Sequence, residues 1–335
     1  MQRIINDPNL VVEEMLEGFI NVHKDIVHLH STNPRVVISN SFDSMKKVGI
    51  VTGGGSGHKP AFVGYCGKNM VDAVAVGEIF SSPTANSFYD AIQAVDQGMG
   101  VACLYGNYSG DNMNVKIAKR RAASAGIEVA TVVANDDVAS ASLEERERRR
   151  GVAGEILMWK VGGALAASGA SLDEVVRGAQ KAIDATRSVG VGLGPCTIPA
   201  NGQPNFKIEP GTMEFGIGHH GEPGIRIEPL GSARDMASEM TELVSRDFPL
   251  VSGDEVVVLI SGLGATPVME QYIFYHEVKK ILDEKKIGIH KSYVGNYFTS
   301  LEMNGITLTM MKVDDELKRC IDLPVETMGL TQVGK

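Results

Sequence analysis

The chain has 335 residues, 43% of them hydrophobic and 22% charged, with a formal net charge of -9 and a pI near 5.4. That balance describes a soluble globular protein long enough for two cores, and it offers no basic field to a nucleic acid or an anionic membrane. The opening MQRIINDPNLVVEEML is amphipathic and acidic, and no apolar run reaches membrane-spanning length, so a cytoplasmic protein is expected.

In chain order, four apolar runs of strand length come first: KVGIVTGGGSGH, VDAVAVGEIFSS, GVACLYGNYSGD and EVATVVANDD. Each is nearly continuous and ends in small or polar residues, the pattern of a strand buried on both faces that opens into a loop. The helical stretches SFYDAIQAVDQ and NVKIAKRRAASA lie between them, so the first half reads as an α/β domain. Four loops then fall at equivalent strand ends: Gly54 to His58, Ser81 to Thr84, Asn107 to Asp111, and Asn135 to Asp137. Ligands of open α/β sheets bind beyond the carboxyl ends of strands, which makes these loops the default site. The run EERERRR at 144 to 150 mixes charges at helical spacing and reads as a solvated helix face.

A helical region is expected over about 152 to 188, its second part started by the capping box SLDE. Residues 189 to 226 are rich in Gly and Pro, and from 254 the pattern becomes strand, glycine turn, helix, strand. Two domains follow, residues 1–190 and 191–335, with the boundary near 188 to 195. The turn SGLGAT at 261 to 266 receives no chemistry. Cys66, Cys103, Cys196 and Cys320 are scattered without CxxC spacing, so buried free thiols are expected rather than disulfides or zinc ligands.

Three constellations carry possible chemistry. GGGSGH at 53 to 58 follows a strand but lacks the GK[ST] of a Walker loop and the third glycine of a dinucleotide fingerprint. It is either a tight turn with a surface histidine or a loop whose N–H groups approach an oxygen-rich small ligand. Asp111 is either a catalytic or binding carboxylate or the N-cap of NVKIAKRRAA, and the two roles are compatible. GIGHHGEPGI at 216 to 225 sets His219 and His220 in a glycine-rich loop. No further His or Cys ligands stand near them as a metal site requires. A hydrogen-bonded loop histidine and a nucleophilic imidazole remain, and since adjacent loop side chains diverge, one of the two histidines at most enters a given site.

Taken together, VTGGGSGHKPAFVGYCG, GEIFSSPTANS, GNYSGDNMNVKIA, RRRGVAGEILMWKVGGALA and MEFGIGHHGEPGIRIEPL resemble the K subunits of dihydroxyacetone kinases, in the same order and over nearly the whole chain. The resemblance implies an N-terminal mixed-sheet α/β layer domain, a C-terminal tubulin-like α/β domain and a homodimer. It implies that His220 forms a covalent hemiaminal with a small ketose while His219 does not. His58 and Asp111 would move the proton of the phosphorylated hydroxyl, and Gly55, Ser56, Gly57 and Ser82 would help bind the substrate. No cofactor or metal is implied on this chain, because a separate L subunit would carry ADP or ATP with Mg²⁺. Two positions depart from the phosphotransferase-linked pattern: Lys59 stands where Glu is usual, and Gly106 where Lys is usual. The second removes a donor and opens space, so a ketotetrose such as erythrulose is an alternative to dihydroxyacetone. A ketose-sensing coactivator of a transcription regulator is the alternative from another class.

Overall fold

The structure is a computed structural model that describes residues 3–44 and 46–334. After α1 (Val11–His23), the first half forms β1 (Val27–Leu29), β2 (Val36–Ser39), β3 (Gly49–Gly54), β4 (Gly67–Lys68), β5 (Ala73–Val76), β6 (Val101–Gly106) and β7 (Val129–Ala134). Six of these make one sheet in the order β1-β2-β5-β3-β6-β7, with β5, β3, β6 and β7 parallel and β1 and β2 antiparallel. Val51, Cys103 and Tyr105 pack toward α2 (Ala85–Ala94) and α3 (Ser109–Ser124), whereas Ile50, Ala102 and Leu104 pack toward α4 (Gly154–Ala167) and α5 (Leu172–Asp184). Burial on both faces explains why these runs are continuously apolar rather than alternating. Because the strands are parallel, all four expected loops emerge at the same end of the sheet.

Ser171 and Glu174 form the expected capping box of α5, and Gly169, at a φ of +80°, separates it from α4. The run at 144 to 150 departs from the expected solvated helix face. Arg146–Arg148 forms a single 3₁₀ turn, and the two arginines after it turn inward. Arg149 is buried and grips Asp247 with both guanidinium ends, at 2.9 and 2.5 Å, while Arg150 pairs with the buried Asp137 at 2.9 Å. Charge periodicity did not register that carboxylates distant in sequence would meet this segment.

The second half contains β8 (Thr186–Gly192), β9 (Thr212–Phe215), β10 (Arg226–Pro229), α6 (Ala233–Asp247), β11 (Glu255–Gly262), α7 (Val268–Glu284), β12 (Gly288–Gly295) and β13 (Gly305–Lys312). Its sheet runs β10-β9-β8-β13-β11-β12, and only β11 and β12 are parallel neighbours. The mixed α/β fold therefore holds two six-stranded sheets, and a division at residue 190 falls inside β8. The chain end returns to the first half: α8 (Asp315–Asp322) packs on α4, and β14 (Val325–Thr327) pairs with β4 and with β15 (Thr331–Gln332). All four cysteines are free and buried.

Candidate active site

A cavity of about 310 Å³ opens at the carboxyl ends of β3, β5 and β6 and is closed from the other side by the 216–224 loop. That volume lies at the lower end of the roughly 300–1,000 Å³ typical of small-molecule pockets, which fits a compact ligand. Gly55, His58, Ser82, Asp111 and His220 all line it. Gly55 is required for close backbone approach: a Cβ there would stand 2.9 Å from Ser81 N and 3.0 Å from Phe80 Cα. Ser56 and Gly57 are not in the lining. The Ser56 hydroxyl donates to Gly77 O at 2.7 Å, and the Gly57 carbonyl accepts from Leu301 N at 2.8 Å, so both hold the loop rather than face the cavity. The fourth strand-end loop is likewise structural, since Asp136 accepts from the N–H groups of Val152 and Gly154 that open α4. Lys59 also lies against the loop, its Nζ 3.3 Å from Ser56 O, and burial brings its ammonium down to about 7.

The histidine loop is shaped by its own backbone. Gly216 and Gly221 have φ of +74° and +85°, values L-residues seldom adopt, and Gly218 N donates to Glu222 O at 2.9 Å. Asn205 Nδ2 donates to His220 O at 2.9 Å, and Gly224 N donates to Glu214 Oε1 at 2.7 Å. The two histidines diverge. His219 turns into the interior, stacked on Phe298 at 5.1 Å with Nε2 3.3 Å from Thr307 Oγ1, and burial followed by the charge of His220 lowers its imidazole to about 3. His220 turns into the cavity, with Phe80 and Tyr108 edge-on at 5.1 Å.

His58 and His220 meet at Nε2, 3.0 Å apart. The outer nitrogens decide the protonation. His58 Nδ1 lies 2.7 Å from Thr299 O, a carbonyl that can only accept, so Nδ1 carries the proton and Nε2 is bare. His220 Nδ1 lies 2.9 Å from Glu222 Oε1. Although burial opposes it, the hydrogen bond from His220 and the charge of Arg150 hold the Glu222 carboxyl well below the ordinary carboxylate range, so it too only accepts. The short Nε2 to Nε2 approach is then a hydrogen bond only if His220 donates, which makes His220 an imidazolium between Glu222 and His58. Burial, followed by the charge of His220, keeps His58 neutral.

Asp111 occupies the first turn of α3 rather than its N-cap, since Tyr108 is the residue before the helix. Its Oδ1 is buried without a partner among the described residues, and burial lifts the carboxyl to about 6 against the opposing effect of the Ser82 hydroxyl. Sequence reasoning missed Glu222 and Arg150, although GEPG and the RRR run were visible. It also missed Glu155, which lines the cavity from the first turn of α4. No group of three or more His, Cys, Asp or Glu among the described residues is arranged to hold a metal ion, and no helix among them is long and apolar enough to cross a membrane.

The same residues can be set beside known proteins. The model of the Dak1 domain matches residues 17–329. The chain belongs to the Dak1 family. It is 43% identical over 327 residues to the dihydroxyacetone-binding subunit DhaK of PTS-dependent dihydroxyacetone kinase 2 of Listeria innocua, covering 98% of both chains. To the corresponding subunit of the PEP-dependent enzyme of Escherichia coli it is 37% identical, over 98% of this chain and 99% of that one. An L-erythrulose 1-kinase of Mycolicibacterium smegmatis is 37% identical over 98% of this chain, which spans 57% of that longer protein. Among Dak1-like solved structures, the dihydroxyacetone kinase operon co-activator DhaQ superposes with a TM-score of 0.90 at 32% identity over 96% of this chain and 98% of that one. The dihydroxyacetone kinase of C. freundii superposes at 0.89 with 29% identity, over 99% of this chain and 60% of that one.

Proposed function

We propose that the chain is the substrate-binding subunit of a dihydroxyacetone kinase, which holds a small ketose on His220 and presents its hydroxyl to a phosphoryl donor on another subunit. The observation that carries this reading is the Glu222–His220–His58 relay set in the cavity wall. His220 Nε2 passes its proton to His58 Nε2 and adds to the ketone carbon. The carbonyl oxygen takes the proton back from His58 and becomes the hemiaminal hydroxyl. The net charge is the same before and after, because the substituted His220 ring stays cationic, and the Glu222 carboxylate balances it throughout. A covalent anchor suits a ketose with little apolar surface to bury, and it rejects glycerol, which has no carbonyl to accept the nucleophile.

Phosphorylation next requires the terminal hydroxyl to lose its proton as it attacks. Asp111 and the neutral His58 are the bases available in this wall. Donor nucleotide with Mg²⁺ belongs, in this reading, to a separate L subunit recharged by a phosphotransferase system, and the assembly works in the cytoplasm with this chain as a homodimer. The two sheets are read as two domains, 1–190 and 191–335, the second tubulin-like. Erythrulose is a second acceptor reading, favoured by the missing side chain at Gly106. A purely sensing coactivator fits less well, since a sensor needs the anchoring histidine but no base, and this cavity keeps both Asp111 and His58.

Intact mass spectrometry after incubation with dihydroxyacetone tests the anchor. The chain is expected to gain the whole mass of the ketose, without loss of water. His220→Ala should abolish the adduct and His219→Ala should retain it; the reverse pattern would sink the assignment. With a matching L subunit, phosphorylated product should accumulate, and adduct without any turnover would favour the sensor.

A further inference from the structure

Glu155 lines the cavity, yet the chemistry above does not use it. Its side chain is fully covered, and neither carboxyl oxygen has a hydrogen-bond partner among the described residues. Burial, then the charges of Asp136 and Asp111, push this carboxyl well above its ordinary range, and no cation counters them. Those effects favour the protonated form, which has one donor and one free acceptor and nothing to serve. An unsatisfied buried polar group is costly, so its position asks for a partner.

Gly106 explains why the acid faces the cavity. A Cβ at that position would collide with Glu155 Oε1 and stand 3.1 Å from its Cδ, so the carboxyl occupies the space that a side chain at 106 would take. The same Cβ position is 3.3 Å from Tyr108 Cε2, and the Tyr108 ring is in turn edge-on to His220 at 5.1 Å between centroids. Gly106, Tyr108, Glu155 and His220 therefore line one continuous stretch of the cavity. A triose bound at its central carbon places both hydroxyl oxygens only two bonds from that carbon. A ketotetrose carries one hydroxyl a bond further, which extends its reach along the cavity wall that includes Gly106 and Glu155.

We infer that Glu155, presented through the bare position of Gly106, is a specificity-determining residue that receives the additional hydroxyl of a ketose one carbon longer than dihydroxyacetone. A hydroxyl both donates and accepts, which matches a neutral carboxyl. This rests on the reading that the cavity holds a ketose on His220.

The test is competition between dihydroxyacetone and erythrulose at equal concentration, read as the ratio of the two adducts by intact mass. The wild-type chain should favour the tetrose. Glu155→Leu should lower the tetrose-to-triose ratio by about 5–30-fold, equivalent to the roughly 1–2 kcal/mol of one lost hydrogen bond, while the dihydroxyacetone adduct persists as proof of folding. Glu155→Gln, which keeps a neutral donor and acceptor, should retain most of the preference. Gly106→Lys, which fills the opening and gives the carboxyl a cation, should turn the preference toward the triose. An unchanged ratio in Glu155→Leu overturns the inference, and should that variant not fold, an unchanged ratio in Gly106→Lys does so. Failure of wild type to form either adduct would instead remove the hemiaminal reading on which this rests.

Discussion

The two sheets deliver their site residues by different rules. In the first, β3, β5 and β6 are parallel, and Gly55, His58, Ser82 and Asp111 follow their carboxyl ends, where strand direction alone places a ligand. In the second, His220 sits on the connection between the antiparallel neighbours β9 and β10, where no topological rule predicts a site. The first sheet supplies several polar groups on a rigid frame. The second supplies one imidazole on a loop whose geometry depends on glycines, Asn205 and Glu222. The difference predicts that disturbing the first sheet's loops alters proton transfer, whereas disturbing a contact between the halves away from the histidine loop lowers stability and leaves the adduct intact in the protein that stays folded.

The largest expected effect tests the first half of that contrast. If the proposed function holds, Asp111→Asn should lower kcat of the chain assembled with a matching L subunit by about 10²–10⁴-fold, the usual contribution of a general base, while the hemiaminal still forms. The wild-type kcat should fall as pH drops through about 6, where the carboxyl takes up its proton, and this limb should vanish in the variant. Stability should move the other way. The folded carboxyl titrates near 6 against an ordinary value of 3.8, so its stabilising contribution is complete below 3.8 and is lost as pH rises through 6. At pH 8 the Asn variant should therefore melt no lower than wild type. An unchanged kcat would return Asp111 to an ordinary role at the start of α3.

The contrast also accounts for what the sequence made legible. Strands buried on both faces announce themselves as continuous apolar runs, and a run such as GVACLYG leads directly to the loop after it. Ser171 and Glu174 form a local device three residues apart, so their capping box was readable. Arg149 and Arg150 were misread as solvent-facing because their partners Asp247 and Asp137 are set by tertiary packing, the first of them nearly a hundred residues away. Glu155 was hidden for a related reason: within GVAGEILMW it looks like an acid in the first turn of a helix, and only the absent side chain at Gly106 leaves room for its carboxyl beside the cavity. The separate fates of His219 and His220 depended on which side of the loop meets Phe298.

A smaller effect tests the joint between the halves. Asp247, at the end of α6, is gripped by Arg149 from the first half and also accepts from Arg187 Nε on β8. Asp247→Ala leaves two buried guanidinium groups without their carboxylate, a change that costs about 3–5 kcal/mol where one partner of a buried pair is removed. Thermal unfolding should fall by several degrees, and the dihydroxyacetone adduct should still form in the protein that remains folded. Loss of the adduct with little loss of stability would mean that this pair orients the histidine loop rather than fastening the halves.

The smallest effect concerns Ser56, which the resemblance places among the substrate ligands and which the fold turns away from the cavity. Its hydroxyl already donates to Gly77 O, joining the turn after β3 to the segment after β5. Ser56→Ala removes that bond, leaves the Gly77 carbonyl one acceptor contact short and costs about 0.5–1.5 kcal/mol. Glu78 O still accepts from Ser56 N at 3.0 Å, so the backbone of the turn keeps its registration and Gly55 keeps its approach to the cavity. Titration of the adduct against dihydroxyacetone should give the wild-type midpoint, with the change appearing only in thermal unfolding. A weakened adduct at unchanged stability would show that the hydroxyl leaves Gly77 for the substrate, and the cavity wall would then be set by the ligand at this position rather than by the strand ends beneath it.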